Sequence, residues 1–451
     1  MESDRIVALA TPYGGAALAV IRTSGAGSIE AVAAMTDREA RIIATEGGRL
    51  RRALLVDPES DEVLDEVVLS IYRAPASYTG EDVVEISCHG NPSGIQRILS
   101  SLMENGFRPA DPGEFTMRAF LAGKLDLTRA EAVNEVVNAQ TGAAHEMALR
   151  RLGGSVEVAI DTLKRELVPI MAAVTVQIDY PEEETGEIPF PRETVERVRS
   201  SLQELADSYR TGRLYQEGIR VALAGRTNAG KSSLFNAILK EERAIVSETH
   251  GTTRDYIESH LDLRGIPALL FDTAGLRRTR EEIESEGIRR SRAVIESADV
   301  VLYVVDGIRG YAEEDQRLLQ EIENLTGGTT ILVWNKIDHG SCTAAPVGTV
   351  AVSATSVQGI ATLAERIRSA VQREEPVRPG APVIDSLRQH NLLNRAADAL
   401  AHVLEGLDQA MPVDVIGLDL QEALNALGEI TGEVTSADIL DAVFGSFCVG
   451  K

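Results

Sequence analysis

Residues 225–232 read Gly-Arg-Thr-Asn-Ala-Gly-Lys-Ser, a match to the phosphate-loop pattern G-x-x-x-x-G-K-[ST]. Such a loop constrains the fold on both sides, because it needs a buried strand before it and a helix N-terminus after it. Ile219–Ala224 (IRVALA) is a short apolar run of strand type, and Ser233–Lys240 (SLFNAILK) reads as the first turns of a helix. The pattern predicts an α/β layer with backbone N–H groups of Asn228, Ala229, Gly230, Lys231, Ser232 and Ser233 turned toward phosphate. Lys231 reaches the β- and γ-phosphates in this arrangement, and the Ser232 hydroxyl ligates Mg²⁺.

Further apolar runs follow at Ala268–Phe271, Val300–Val305, Ile331–Trp334 and Val350–Val352. Their alternation with helical patterns over 218–378 predicts a doubly wound α/β domain. Three more motifs close strands of that series. Asp272-Thr273-Ala274-Gly275 offers a carboxylate for Mg²⁺ and a Gly275 N–H for a γ-phosphate. Asn335-Lys336-Ile337-Asp338 places a carboxylate, Asp338, that can accept from guanine's N1–H and exocyclic amine, a pair adenine does not offer. Ser353-Ala354-Thr355 supplies a backbone N–H for the guanine oxygen. Together these motifs predict a GTP site. The intervening Gly251-Thr252-Thr253-Arg254-Asp255 reads as a switch loop.

Hydrolysis requires an oriented water and a positive charge beside the phosphates. Ras-like proteins carry Gln after the D-x-x-G glycine; here that position is Leu276, which cannot orient water, while Glu281, Glu282, Glu284 and Glu286 lie just downstream. Asn228, three residues before Lys231, offers an amide oxygen for a monovalent cation that could replace an arginine finger; the plainer alternative is that it braces the loop.

The chain, at 451 residues, is too long for one core. Residues 1–122 mix strand candidates (Ala17–Ile21, Val67–Tyr72, Val83–Ser87) with a helix over Pro92–Asn105 closed by Gly106, an α+β pattern. Residues 123–217 are predicted helical, with an apolar stripe Val156, Ile160, Leu163, Leu167, Ile170, Val174 and Ile178, a loop at 181–191, and a second stripe Val198, Leu202, Leu205 and Tyr209. Residues 379–451 are helical again, so the economical arrangement is one bundle with the nucleotide domain inserted in it. Lys and Arg number 45 against 69 Asp and Glu, a net charge of −24 that repels polyanions at long range. Arg49, Arg51 and Arg52 form the densest basic cluster. Cys88, Cys342 and Cys448 are scattered and suit a reducing, cytoplasmic setting, and no run is apolar enough for a membrane span. His89, in CHGNP, is a candidate general base or a structural loop residue.

GRTNAGKSSLFNAI, IVSETHGTTRDY, DTAGLR, NKID and the terminal Cys448-Val449-Gly450-Lys451, with ATPYGGAALAVIRTSG, YTGEDVVEISCHG and PGEFTMRAFLAGKLDLTRAEAV, resemble the MnmE (TrmE) family of tRNA-modification GTPases along essentially the whole chain. The resemblance implies an N-terminal folate-binding and dimerisation domain, a helical domain and a Ras-like G domain. It implies a homodimer that forms a heterotetramer with the flavoprotein MnmG (GidA), which carries FAD. The reaction implied forms an aminomethyl or carboxymethylaminomethyl group at C5 of the tRNA wobble uridine, with 5-formyltetrahydrofolate or a related tetrahydrofolate as one-carbon donor. Residue by residue, it implies K⁺ ligation by Asn228 with Ser247, Thr249 and Thr252, Mg²⁺ ligation by Ser232 and Thr253, and water orientation by Glu284. It further implies folate contacts from Arg22, Glu81, Lys124 and Lys451, and a reactive thiol at Cys448. Thr227 stands where the family usually has Pro. The rival expectation is a regulatory switch GTPase, for example in ribosome assembly, with no tRNA chemistry.

Overall fold

A computed structural model describes residues 4–179, 190–244, 258–272, 289, 292–372 and 380–450. These form two compact units, one built from residues up to 137, 151–198 and from 395 onward, the other from 138–150 and 199–394.

The first unit contains a six-stranded sheet. Its strands are β1 (Ile6–Leu9), β2 (Leu18–Ser24), β3 (Arg49–Val56), β4 (Val63–Tyr72), β5 (Val83–His89) and β6 (Arg108–Pro109), in the order β3-β4-β5-β2-β1-β6. All neighbours are antiparallel except β1 and β6. Period-two alternation gives the sheet two unlike faces. Ala19, Ile21, Leu55, Leu69, Ile71, Val84 and Ile86 are buried in one core with Ile29, Val32, Ile95, Ile98 and Leu102 of the helices Ser28–Ala34 and Pro92–Glu104. The latter helix starts on Asn91, whose side chain accepts from Gly94 N–H.

The helical part of this unit pairs Ser155–Asp179 with Val413–Thr431. The expected stripe is buried from Val156 to Val174, whereas Ile178, near the helix end, is exposed. Gly417 lets the two helices approach, since a Cβ there would lie 2.9 Å from Val174 Cγ1. Toward the C-terminus, Phe444 and Phe447 share a buried cluster with Leu127 and Ala130.

The second unit contains a seven-stranded sheet in the order β13-β12-β11-β7-β10-β9-β8. The strands are β7 (Ile219–Ala224), β8 (Arg243–Ala244), β9 (Glu258–Leu263), β10 (Ile266–Asp272), β11 (Val300–Asp306), β12 (Thr329–Asn335) and β13 (Val350–Ala351). From β13 to β10 neighbours are parallel, and β8 and β9 add an antiparallel edge. Such parallel strands are buried on both faces, and β11 is apolar and buried throughout from Val300 to Val305. β7 lies between β10 and β11, where strand order reverses, so its C-terminal end opens at the crevice where doubly wound sheets take ligands.

Among the described residues no helix is long and apolar enough to cross a membrane.

Candidate functional site

The loop after β7 has the backbone a phosphate cradle needs. Gly225 (φ +132°), Asn228 (φ +66°) and Gly230 (φ +94°) all take positive φ, and Gly230 caps the helix Lys231–Glu241. A Cβ at Gly225 would lie 2.3 Å from Val304 O, and one at Gly230 2.3 Å from Asn335 Nδ2, so both positions exclude any side chain. Lys231 is buried and donates to Gly225 O and Arg226 O, each at 2.8 Å. Its ammonium is therefore held by the carbonyls at the start of the loop.

The expected base-recognition segment meets this loop directly. Asn335, 1% exposed, donates from Nδ2 to Ala229 O (2.9 Å) and accepts from Ala354 N–H at Oδ1 (3.3 Å). One side chain thus joins the phosphate loop to the segment Ser353–Thr355. Lys336 (φ +69°) donates to Asn228 O (2.9 Å) and pairs with Asp306 (2.8 Å). Burial pushes the Asp306 carboxyl up, but Lys336 and the Ile308 N–H more than offset it and hold the group below the ordinary carboxylate range. Ser232, Ser233, Asn228 and Asp338 are exposed, Asp272 is buried at the end of β10, and Ser353 is buried with Oγ accepting from Ser356 N–H. Ser247, Thr249, Thr252, Thr253, Thr273, Ala274, Gly275, Leu276, Glu284 and Lys451 lie outside the described residues.

Sequence reading missed the tether behind the loop. Arg226 pairs with Glu314 (2.8 Å) and Asp315 (3.5 Å), and buried Asp315 accepts from Tyr303 Oη (3.0 Å) and Ala312 N–H. The cue was available in Glu313-Glu314-Asp315 at the start of the helix Glu313–Leu325, where acidic residues favour the N-terminus.

A second polar cluster lies in the first unit. Arg22 on β2 donates from Nε and Nη2 to Glu85 Oε1 (2.9 and 2.7 Å), its register partner on β5. Its Nη1 donates to Gly450 O (3.2 Å), and its guanidinium lies over the rings of Tyr78 and Phe115 (5.9 and 5.7 Å to the centroids). Ser24, two positions along the same strand, donates to Glu81 (2.7 Å), which also pairs with Arg118 (3.0 Å). Lys124 donates to Pro75 O, and its Cε lies 3.6 Å from where a Cβ on Gly80 would be. Arg22, Glu81, Lys124 and the chain end before Lys451 therefore gather around one stretch, 75–85. Cys448 is exposed within that chain end. Sequence reading passed over Glu85, Tyr78 and Arg118; Arg118 sits in the quoted PGEFTMRAF but pairs with Glu81 only through the fold.

His89 Nδ1 and Asp65 Oδ1 are 2.7 Å apart, and the Asp65 carboxylate also accepts the His89 N–H (2.8 Å). Burial, and then the Asp65 charge, push the neighbouring Cys88 thiol up to about 11, so it is not a thiolate at neutral pH.

The family model described as MnmE helical domain matches residues 127–448, and that described as GTP-binding protein TrmE N-terminus matches 5–124. The chain is 41% identical to a Borrelia recurrentis (strain A1) protein named tRNA modification GTPase MnmE, over 100% of this chain and 99% of the relative. Proteins of the same name from Treponema denticola (41% identity, 99% and 98% covered) and Moorella thermoacetica (40%, 100% and 100%) are similar along their whole lengths. Among solved structures it is similar to a variant of Era from Aquifex aeolicus bound to GDP.AlF4-, at 23% identity and a TM-score of 0.27, covering 40% of this chain and 66% of that one. On the two family models and the full-length relatives, the chain belongs to the MnmE family of tRNA modification GTPases.

Proposed function

We propose that the chain is a K⁺-stimulated GTPase whose turnover drives modification of the tRNA wobble uridine at C5, together with the flavoprotein MnmG. The observation that carries the nucleotide half is the junction at Asn335, which ties the phosphate loop to both segments that would hold guanine. GTP supplies the phosphoanhydride bond, cleaved by water to GDP and phosphate. Lys231 exchanges its two loop carbonyls for the β- and γ-phosphate oxygens, and the N–H groups of 228–233 line the phosphates. Ser232 and Thr253 would hold Mg²⁺, with the Asp272 carboxylate available to it through water, and Asp338 would accept from guanine. Asn228, exposed on the loop rim, holds K⁺ with Ser247, Thr249 and Thr252, and Glu284 orients the water in place of Leu276.

The gathered cluster of Arg22, Glu81 and Lys124 supports the folate half. Cations at Arg22, Lys124 and Lys451 suit a folate's carboxylates, a carboxylate at Glu81 suits pterin N–H donors, and the Tyr78 ring beside Arg22 suits stacking. FAD belongs to the partner, and Cys448 shares the chain end with Lys451. The proposed assembly is a homodimer with N-terminal, helical and inserted G domains.

GTP turnover in KCl against NaCl tests the engine. The expected result is faster turnover in KCl and its loss in Glu284→Ala; equal rates in both salts would remove the cation role. Mass analysis of wobble uridines from cells lacking the protein tests the chemistry, and unchanged uridines would instead favour a regulatory switch.

A further inference from the structure

The β9–β10 turn is held from outside its own sheet by three separate stretches of chain. Gly265, at the turn, takes φ +99°, and its carbonyl accepts a 2.7 Å hydrogen bond from Thr141 Oγ1. A Cβ on Gly265 would lie 3.2 Å from Ala143 Cβ and 3.7 Å from Tyr215 Cε1. Two residues on, Pro267 O faces Gly218, where a Cβ would come within 2.3 Å. Arg264 anchors the other flank, donating to Glu365 (3.1 Å) and Ala361 O (3.4 Å).

Thr141 is 4% exposed, and its hydroxyl does two things at once. It accepts the Ala144 N–H (3.2 Å), capping the helix Gly142–Leu152, while it donates to Gly265 O. The same helix reaches Arg151, which belongs to the first unit and pairs there with Glu135 at 2.5 Å. In the other direction, β10 runs from this turn to Asp272 and pairs along its length with β7, the strand that ends in the phosphate loop. A shift of the hairpin along its axis therefore moves Asp272 and the Thr141 acceptor together.

We infer that Thr141 is a positioning residue coupling nucleotide state to the helical part of the chain: its hydroxyl makes the start of Gly142–Leu152 follow the hairpin that ends in Asp272. The inference rests on the GTP-binding reading above. A hydroxyl buried with both donor and acceptor roles filled is costly to leave half-satisfied, so the helix cap and the hairpin carbonyl move as one.

Hydrogen exchange of the amides of Ala144 and His145 in the full chain, with GDP and with a non-hydrolysable GTP analogue, tests it, with nucleotide affinity titrated separately. Wild type should show a difference between the two states of about 5-fold or more, the low end for coupled sites. Thr141→Ser keeps both bonds and should keep the difference. Thr141→Asp still caps the helix but cannot donate to Gly265 O, and should lose the difference at unchanged GTP affinity and basal turnover. A Thr141→Asp protein that retains the difference, or a wild type that binds GTP without one, overturns the inference. A wild type that binds no GTP overturns the nucleotide reading, and this one with it.

Discussion

Asn335 concentrates the consequences of one side chain. Replacing it with Ala strands the Ala229 carbonyl and the Ala354 N–H, both partnered by the amide now. Leaving buried partners unmet costs about 1–3 kcal/mol. Asn335→Ala should therefore weaken GDP binding roughly tenfold or more in a fluorescent-nucleotide titration, an expectation that an affinity equal to wild type would defeat. His89 gives a pH-dependent counterpart in the first unit. The hydrogen bond to Asp65, then the Asp65 charge, raise the His89 pKa above its ordinary 6.5. A raised folded-state pKa means that the pair stabilises fully below 6.5 and that this contribution is lost as pH rises through the folded value. Urea midpoints should fall more over that interval for wild type than for His89→Gln; parallel profiles would show that the pair contributes nothing.

The helix Tyr209–Glu217 shows how one missing Cβ sets the placing of an element. Gly212 faces Ile384, where a Cβ would lie 2.0 Å from the backbone carbonyl. Alanine gains about 1 kcal/mol of helix propensity over glycine, but overpacking a rigid contact costs about 1–3 kcal/mol, and an immovable carbonyl places this case at the upper end. Gly212→Ala should lower the thermal midpoint of the nucleotide-binding unit; a higher midpoint would mean that the helix can slide away from Ile384. Elements of this kind were only partly legible in the sequence. β7, β10, β11 and β12 announce themselves as apolar runs because parallel strands are buried on both faces. β3 does not, since RLRRALLV places arginines and exposed leucines around the buried Ala53 and Leu55. β9 was missed for the same reason, with Leu261 and Leu263 alternating with polar residues. Within the candidate site the motif residues were readable because their spacing is local. The Arg22–Glu85 pair depends on strand register, and Thr141 on Gly265 spans 124 positions, which no local pattern encodes.

At the scale of the whole molecule, charge sets a limit on how a tRNA could be held. The 69 acidic residues against 45 basic ones leave −24, and much of the positive charge is already spent. Arg52 pairs with Glu66 across β3 and β4, Arg49 lies near Glu46, and Arg192, Arg197 and Arg395 pair with Asp408, Glu166 and Glu429. Tight binding of a phosphate backbone draws on unpaired Lys and Arg that release condensed counterions, and its signature is a steep loss of affinity with salt. The basic cluster at Arg49–Arg52 does not supply such a patch, because two of its three arginines face carboxylates. We therefore expect this chain alone to bind tRNA no more tightly than the ~10⁻⁴–10⁻⁶ M typical of non-specific contact at physiological salt. If the flavoprotein proposed above is the partner, adding it should give tight binding with a steep salt dependence, which would locate the counterion-releasing surface there. Filter binding of tRNA to each protein and to the mixture, over a range of KCl, reads out both quantities. Submicromolar binding by this chain alone at physiological salt would place the tRNA surface here instead, and would require a patch of cations free of the pairings above.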